Sequence, residues 1–446
     1  MERTAYSSVK TFMVFTFVLL GIAGCGIYGT FDAKEYRIPE NACGTGISGD
    51  TLSAGSVRWE DFFTDRYLCA LIDTALKNNA DLQTAMLYIE EAQAALQSSK
   101  LAFLPSFYVS PQASYNGSWS VQLPVNASWE IDLFGSLRNA KRAKQAALLR
   151  QEAYSRAVRS QLVATVATTY YSLLALDAQL EIYERTERTW KDNVEATRAL
   201  VNAGRYNSAS LSQTEAGYYE VCNSLLDIRQ QISQMENRMC SLLGWVPGKI
   251  ERGRIEDWVM PETISVGIPA KTLANRPDVK EAEHALEEAF YNTGQAKSEF
   301  YPSITISGSY DFSRMIADAI GSLVQPIFMR GTLKANLKIA VAQQQEAEIA
   351  FRQCVIDAGM EVNDALISIS TARAKQENCS RQVSHLEDAV KSTRLLMVNS
   401  SATYLEVLAA QQTLLEAQIG EVVNTLSGIS GVITLYHALG GGSTEP

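Results

Sequence analysis

Residues 118–134 read SWSVQLPVNASWEIDLF. Every odd position from Trp119 to Leu133 is apolar: Trp119, Val121, Leu123, Val125, Ala127, Trp129, Ile131 and Leu133. The even positions are Ser120, Gln122, Pro124, Asn126, Ser128, Glu130 and Asp132. Strict alternation is the period of a β-strand with one apolar and one polar face. The preceding SFYVSPQASY (106–115) alternates as well, with Phe107, Val109, Pro111, Ala113 and Tyr115 on one side. Between the two runs, Asn116-Gly117-Ser118 is a hairpin signal. A two-residue loop would pair Tyr115 with Ser118 and put the apolar sets on opposite faces. A three-residue loop pairs Tyr115 with Trp119 and Ala113 with Val121, which aligns them. The reading is therefore a hairpin over 106–133 with an odd loop and one coherent apolar face. Pro111 and Pro124 lack a donor, which predicts a bulge or a strand edge at each.

A second, weaker set follows in SITISGSYDF (303–312), with Ile304, Ile306, Tyr310 and Phe312 on one side, and a poorly alternating strand is expected over 320–328. Strands of about ten residues have the length of membrane-spanning β-strands. Four cannot close a barrel, and open edges are not tolerated in lipid. Several copies of the chain must then share one barrel, and three would supply twelve strands. The alternative is a four-stranded soluble sheet packed on helices.

The rest of the chain reads as helix, and it reads twice. Ala75–Phe107 aligns without a gap to Thr272–Ile304: Leu76 meets Leu273, Asn78 meets Asn275, Asp81 meets Asp278, and Pro105-Ser106 meets Pro302-Ser303. This is a duplicated unit. Repeat 1 is placed at 71–250 and repeat 2 at 271–440, with a linker over 251–270 and a tail at 441–446. Each repeat carries a helix, a strand pair, a very long helix (about 136–203 and 332–398), a short break and a return helix (209–243 and 404–439). The breaks, 202–208 and 399–403, are rich in turn formers. At about 1.5 Å per residue each long helix would reach roughly 100 Å.

The chain has 446 residues, 46% of them hydrophobic, and a net charge of -10, which argues against a nucleic-acid binder needing a clustered basic excess. The N-terminus carries Arg3 and Lys10 and then the short apolar run TFMVFTFVLL, the layout of a signal peptide over 1–24. Its end, Ile22-Ala23-Gly24-Cys25, resembles the lipobox of bacterial lipoproteins, in which the cysteine is lipidated. That implies N-palmitoyl and S-diacylglycerol groups on Cys25 and a lipidated extension over 25–70. Six cysteines remain (Cys43, Cys69, Cys222, Cys240, Cys354 and Cys379) without a CxxC, and they read mostly as packing residues.

The chain resembles the TolC-like outer-membrane efflux proteins, in the lipoprotein branch that serves resistance-nodulation-division pumps. The resemblance rests on Val57–Leu82, SWEIDLFGSLRNAKRA (128–143), NRPDVKEAEHAL (275–286), FYPSI (300–304), QPIF (325–328) and TYLEVLAAQ (403–411). It implies a mainly α protein with a membrane β-barrel: a homotrimer with a twelve-stranded barrel in the outer membrane of a Gram-negative bacterium and a twelve-helix α-barrel in the periplasm. Its tips would meet a periplasmic adaptor (membrane fusion) protein connected to an inner-membrane pump.

The tips are the site expected to matter: Gly204, Arg205 and Tyr206 in the first, Ser400, Ser401, Thr403 and Tyr404 in the second. Glu406, within about a turn, would form a ring of three carboxylates in a trimer or else lie on a solvated helix face. Trp119 and Trp129 are about 33 Å apart along a strand, the spacing of two aromatic girdles once the strand is tilted. A basic stripe follows the strands in both repeats (Arg138, Lys141, Arg142 and Lys144; Arg330, Lys334 and Lys338) and either touches anionic headgroups or is simply solvated. Enzyme chemistry has little to stand on. The three histidines, His284, His385 and His437, are scattered, and no phosphate loop or dinucleotide fingerprint occurs. No metal and no cofactor beyond the lipid is expected. The reading is a passive exit duct for drugs or small molecules. A duct for protein secretion and a non-conducting lipid-anchored scaffold remain as alternatives.

Overall fold

The computed structural model describes residues 29–32, 58–260, 273–312, 315–327, 329–398 and 403–443. Their elements run α1 (Trp59–Phe62), α2 (Arg66–Asn78), α3 (Ala80–Leu101), β1 (Ser106–Val109), β2 (Gln112–Tyr115), β3 (Trp119–Gln122), β4 (Pro124–Ile131), α4 (Ser136–Asn202) and α5 (Ser208–Leu243). After a 3₁₀ turn at Ile255–Asp257 come α6 (Pro277–Ser298), β5 (Ser303–Asp311), β6 (Ile316–Val324), α7 (Thr332–Val398) and α8 (Tyr404–Ala438). The long helices α4 and α7 have 67 residues each. Neither contains proline, so no i→i−4 bond is lost to a missing donor. No helix among the described residues is long and apolar enough to cross a membrane.

Two compact units divide the chain, one of residues 1–38, 87–153 and 280–354, the other of 39–86, 154–279 and 355–446. The first holds the sheet, antiparallel throughout, in the order β1-β4-β5-β6, with β2-β3 as a separate ribbon. The odd loop is present: Tyr115 pairs with Trp119 and Ala113 with Val121. The prolines interrupt the hairpin, but the expected bulge is absent. Ser106 pairs with Ser128, Val109 with Val125 and Gln112 with Gln122, so the register carries across the gap unchanged and no residue is inserted. What is missing is one bond. The Ser110 N–H donates to the Pro124 carbonyl at 3.2 Å, and the reciprocal bond cannot form because Pro124 has no N–H.

The fourth strand is a correction. It runs over Ile316–Val324 rather than 320–328, because β6 pairs with β5 from Asp311↔Ile316 to Ser303↔Val324 across a short loop. Pro326 then stops it, and the Gln325 amide donates to the Phe300 carbonyl at 3.1 Å.

The second unit has a helical core. Leu68, Ile72, Tyr170, Leu173, Met239 and Leu243 are fully buried where α2, α4 and α5 meet. Residues 251–260, expected as linker, are tied to it. The Arg252 guanidinium grips Asp177 at 2.9 Å and Glu236 at 2.6 Å, which holds its pKa above the ordinary value, the bond to Asp177 contributing most. The Gly253 N–H donates to the Tyr170 hydroxyl at 3.0 Å, and that hydroxyl donates to Asp65 at 2.6 Å. Residues 261–270 of the linker lie outside the described residues.

At equivalent positions of the two halves, one side chain ties the start of a helix to the end of the returning one. In the first half Asn79 does it: its amide donates to the Leu242 carbonyl at 3.1 Å, and its oxygen accepts the N–H groups of Asp81 and Leu82. In the second half Arg276, aligned with Asn79, donates to the Ala438 carbonyl at 2.7 Å and pairs with Asp278 at 2.8 Å and Glu361 at 2.7 Å.

Candidate functional site: a two-faced sheet and two helical turns

The register sorts the sheet into two faces. On one lie Phe107 and Val109 of β1, Val125, Ala127, Trp129 and Ile131 of β4, Ile304, Ile306 and Tyr310 of β5, and Ala317, Ala319 and Leu323 of β6. Most of its large side chains are exposed, Phe107 by 71% and Leu323 by 63%, while Val125, Ile131 and Ile304 are half-buried. The other face carries Asn126, Ser128, Glu130, Thr305, Ser307, Ser309 and Asp318, though Ile320 and Val324 also fall there. Those two explain why β6 alternates poorly in sequence. The outer strands β1 and β6 have no further neighbour in the sheet. Among the described residues nothing covers its apolar face or either edge, an arrangement that water does not tolerate well.

The two tryptophans expected as girdle residues sit at opposite ends of the β3–β4 run. Trp119 is 75% exposed and packs beside Tyr115, ring centroids 5.4 Å apart. Trp129 is 40% exposed and donates its indole N–H to the Phe103 carbonyl at 2.9 Å. Below the strands, Asp132 accepts the Arg138 N–H at 3.0 Å and its guanidinium at 3.1 Å, joining β4 to the first turn of α4. Arg142 lies over the Tyr291 ring, 5.6 Å from its centroid. Two of the basic stripe's members thus have local partners.

The first helical turn is built by backbone chemistry. α4 ends in a Schellman motif: Gly204, at φ +73°, donates to the Val201 carbonyl at 2.9 Å and Arg205 to that of Leu200 at 2.9 Å. Asn207 caps α5 by accepting the Ser210 N–H at 2.9 Å. Arg205 is exposed, and Tyr206 is half-buried against a small cluster of Trp190, Val221 and Leu408. At the second turn, Ser400 and Ser401 lie outside the described residues, as does Cys25. Thr403 caps α8, Tyr404 begins it, and Glu406 accepts the Thr403 N–H at 3.0 Å, the carboxylate half of a capping box. Glu406 therefore has a local task independent of any ring.

Sequence reading passed over the packing behind these turns. Trp190 of α4 is buried, and the benzo edge of its ring fills the space a side chain would need at Gly217 of α5. Asn193 of α4 donates to the Gln411 side-chain oxygen of α8 at 2.7 Å, a direct tie between the two hairpins. The one available signal was a glycine inside a helix.

Comparison with known proteins agrees with this arrangement. Residues 71–245 and 268–441 match the family described as "Outer membrane efflux protein". The "Cation efflux system protein CusC" of Escherichia coli K12 is 30% identical over 95% of this chain and 98% of its own length. The "Probable outer membrane lipoprotein SilC" of Salmonella typhimurium is 29% identical over 87% of this chain and 88% of its own. Among solved structures, the open state of the Neisseria gonorrhoeae MtrE outer membrane channel superposes with a TM-score of 0.80 at 26% identity, covering 89% of this chain and 94% of that one. With a two-faced sheet, long helical hairpins and a match over both of its halves, the chain belongs to the outer membrane efflux protein family.

Proposed function

We propose that the chain is the passive outer-membrane channel of an efflux system, working as a trimer whose shared barrel is completed by pairing β1 of one copy with β6 of the next. The observation that carries this is the sheet itself: an exposed apolar face suited to lipid, a polar face suited to a water-filled lumen, and two open edges. Energy must come from a partner, so a periplasmic adaptor is placed at the 202–208 and 399–403 turns and an inner-membrane pump beyond it. A lipid on Cys25 would hold the chain at the membrane. CusC, the relative named for cation efflux, makes cations the first solutes to try, before drugs or other small molecules.

The test is planar-bilayer recording with the purified, detergent-stable oligomer. Discrete conductance steps are expected. A stable oligomer that gives no channels would favour a scaffold instead. Radioactive palmitate should label the wild type and not Cys25→Ala.

A further inference from the structure

The end of α8 carries a polar cluster that neither the sheet nor the tips use. Ser160 Oγ of α4 lies 2.5 Å from the Gly441 carbonyl oxygen and 2.8 Å from His437 Nδ1. A carbonyl only accepts, so the single hydroxyl proton goes to Gly441. The ring must then donate to Ser160 from Nδ1, and the neutral imidazole keeps its lone pair on Nε2. Nε2 lies 4.0 Å from Glu361 Oε1 of α7. Two acceptors thus face each other, at the distance of an ion pair that lacks only a proton. Glu361 Oε2, meanwhile, accepts from the Arg276 guanidinium.

Charged groups approach His437 from several elements. Glu361 comes from α7, and Arg276 and Asp278 come from the start of α6. Arg238 of α5 lines the groove of about 270 Å³ into which His437 and Glu361 also open. From α4 the groove receives only uncharged groups, such as Gln161 and Thr165. Burial, the largest influence, holds the His437 pKa below its ordinary value; Glu361 opposes this, Arg276 adds to it and Asp278 opposes it.

We propose that His437, Ser160 and Glu361 form a proton-operated joint. At neutral pH the ring is uncharged and Glu361 serves Arg276 alone. In acid, Nε2 takes a proton and His437 and Arg276 draw on the same carboxylate. The same residues hold the C-terminal turn, through the carbonyls of Ala438 and Gly441. Acid therefore loosens the seat of α8. The sign follows from proton counting. With the native pKa depressed, the unfolded chain binds more protons below about pH 6.5, so stability falls as pH drops through that value and levels off below the native pKa.

The experiment is the melting temperature of the purified full-chain oligomer in detergent, from about pH 8 to about pH 5. His437→Asn keeps a donor toward Ser160 but does not titrate, and it should lose the acid limb that the wild type shows. Glu361→Gln removes the carboxylate facing Nε2, so the native pKa falls further: the limb should begin where the wild-type limb does but run deeper and level off at a lower pH. His284→Asn and His385→Asn should keep the wild-type limb. Superimposable profiles for wild type and His437→Asn would overturn the proposal. Should His437→Asn yield no folded oligomer, Glu361→Gln decides alone: a limb of unchanged depth that levels off at the wild-type pH overturns the proposal, and a deeper limb that levels off at a lower pH supports it.

Discussion

At Gly217, Arg330 and Glu406 the local geometry decides what a substitution does. A Cβ on Gly217 would lie 2.2 Å from the Trp190 ring, so Gly217→Ala must push the indole out of a packed seam. Overpacking of that kind costs roughly 1–3 kcal/mol. Trp190→Phe removes the offending ring edge, so in the double variant the loss should be smaller than the two single losses together, as read from urea unfolding. Arg330 sits at φ +51°, in a left-handed region that costs an L-residue about 1–2 kcal/mol. Arg330→Gly relieves this and gives back part of the gain as unfolded-state entropy, leaving a net stabilisation of about 0.5–1 kcal/mol. A higher urea midpoint would show it. At Glu406 the cap and the charge can be separated. Glu406→Gln keeps an acceptor for the Thr403 N–H, and Glu406→Ala keeps neither. If a carboxylate ring governs ion selectivity, both variants lose cation preference in bilayer recordings. If Glu406 only caps α8, the glutamine variant behaves as wild type.

Among the elements, the strands repay attention first. Pro124→Thr supplies the N–H that the Ser110 carbonyl lacks, so β3 and β4 should join into one uninterrupted strand. Slower amide exchange at positions 123–125 in hydrogen-exchange mass spectrometry would report it. Much of this hairpin was legible from parity alone, because the period of a strand is two and one residue of slip would turn Trp119 and Val121 to the polar face. The fourth strand was not, because Ile320 and Val324 blur its alternation, and only pairing with β5 places it over Ile316–Val324. The long helices were legible from missing breakers. The joints between them were not, since Asn79 and Arg276 align in sequence while the carbonyls they reach lie 163 and 162 residues away. Their removal should differ in cost. Asn79→Ala loses a cap and one bond, about 1–2 kcal/mol. Arg276→Met strands Asp278 and Glu361 beside a half-buried site and should cost about 3–5 kcal/mol.

For the whole molecule, the exposed apolar face and the two free edges of the sheet set the terms of existence: among the described residues of one copy nothing covers either. Under the trimer proposed above, cysteines placed on β1 and β6 should cross-link between copies and not within one, giving a ladder that stops at three on a denaturing gel. A tip could be recognised from Asn202–Ser208 because turn formers mark it, whereas Trp190, Gly217 and the Asn193–Gln411 tie emerge only when α4, α5 and α8 are brought together. A last consequence concerns length. α4 and α7 each run 67 residues as one continuous helix, so a change of length inside either is passed to everything that follows it. Deleting one residue from α4 rotates everything beyond it by about 100°, and deleting seven keeps its faces almost in phase but shortens it by about 10 Å. Each long helix thus behaves as a ruler that tolerates loss in whole heptads and not in single residues.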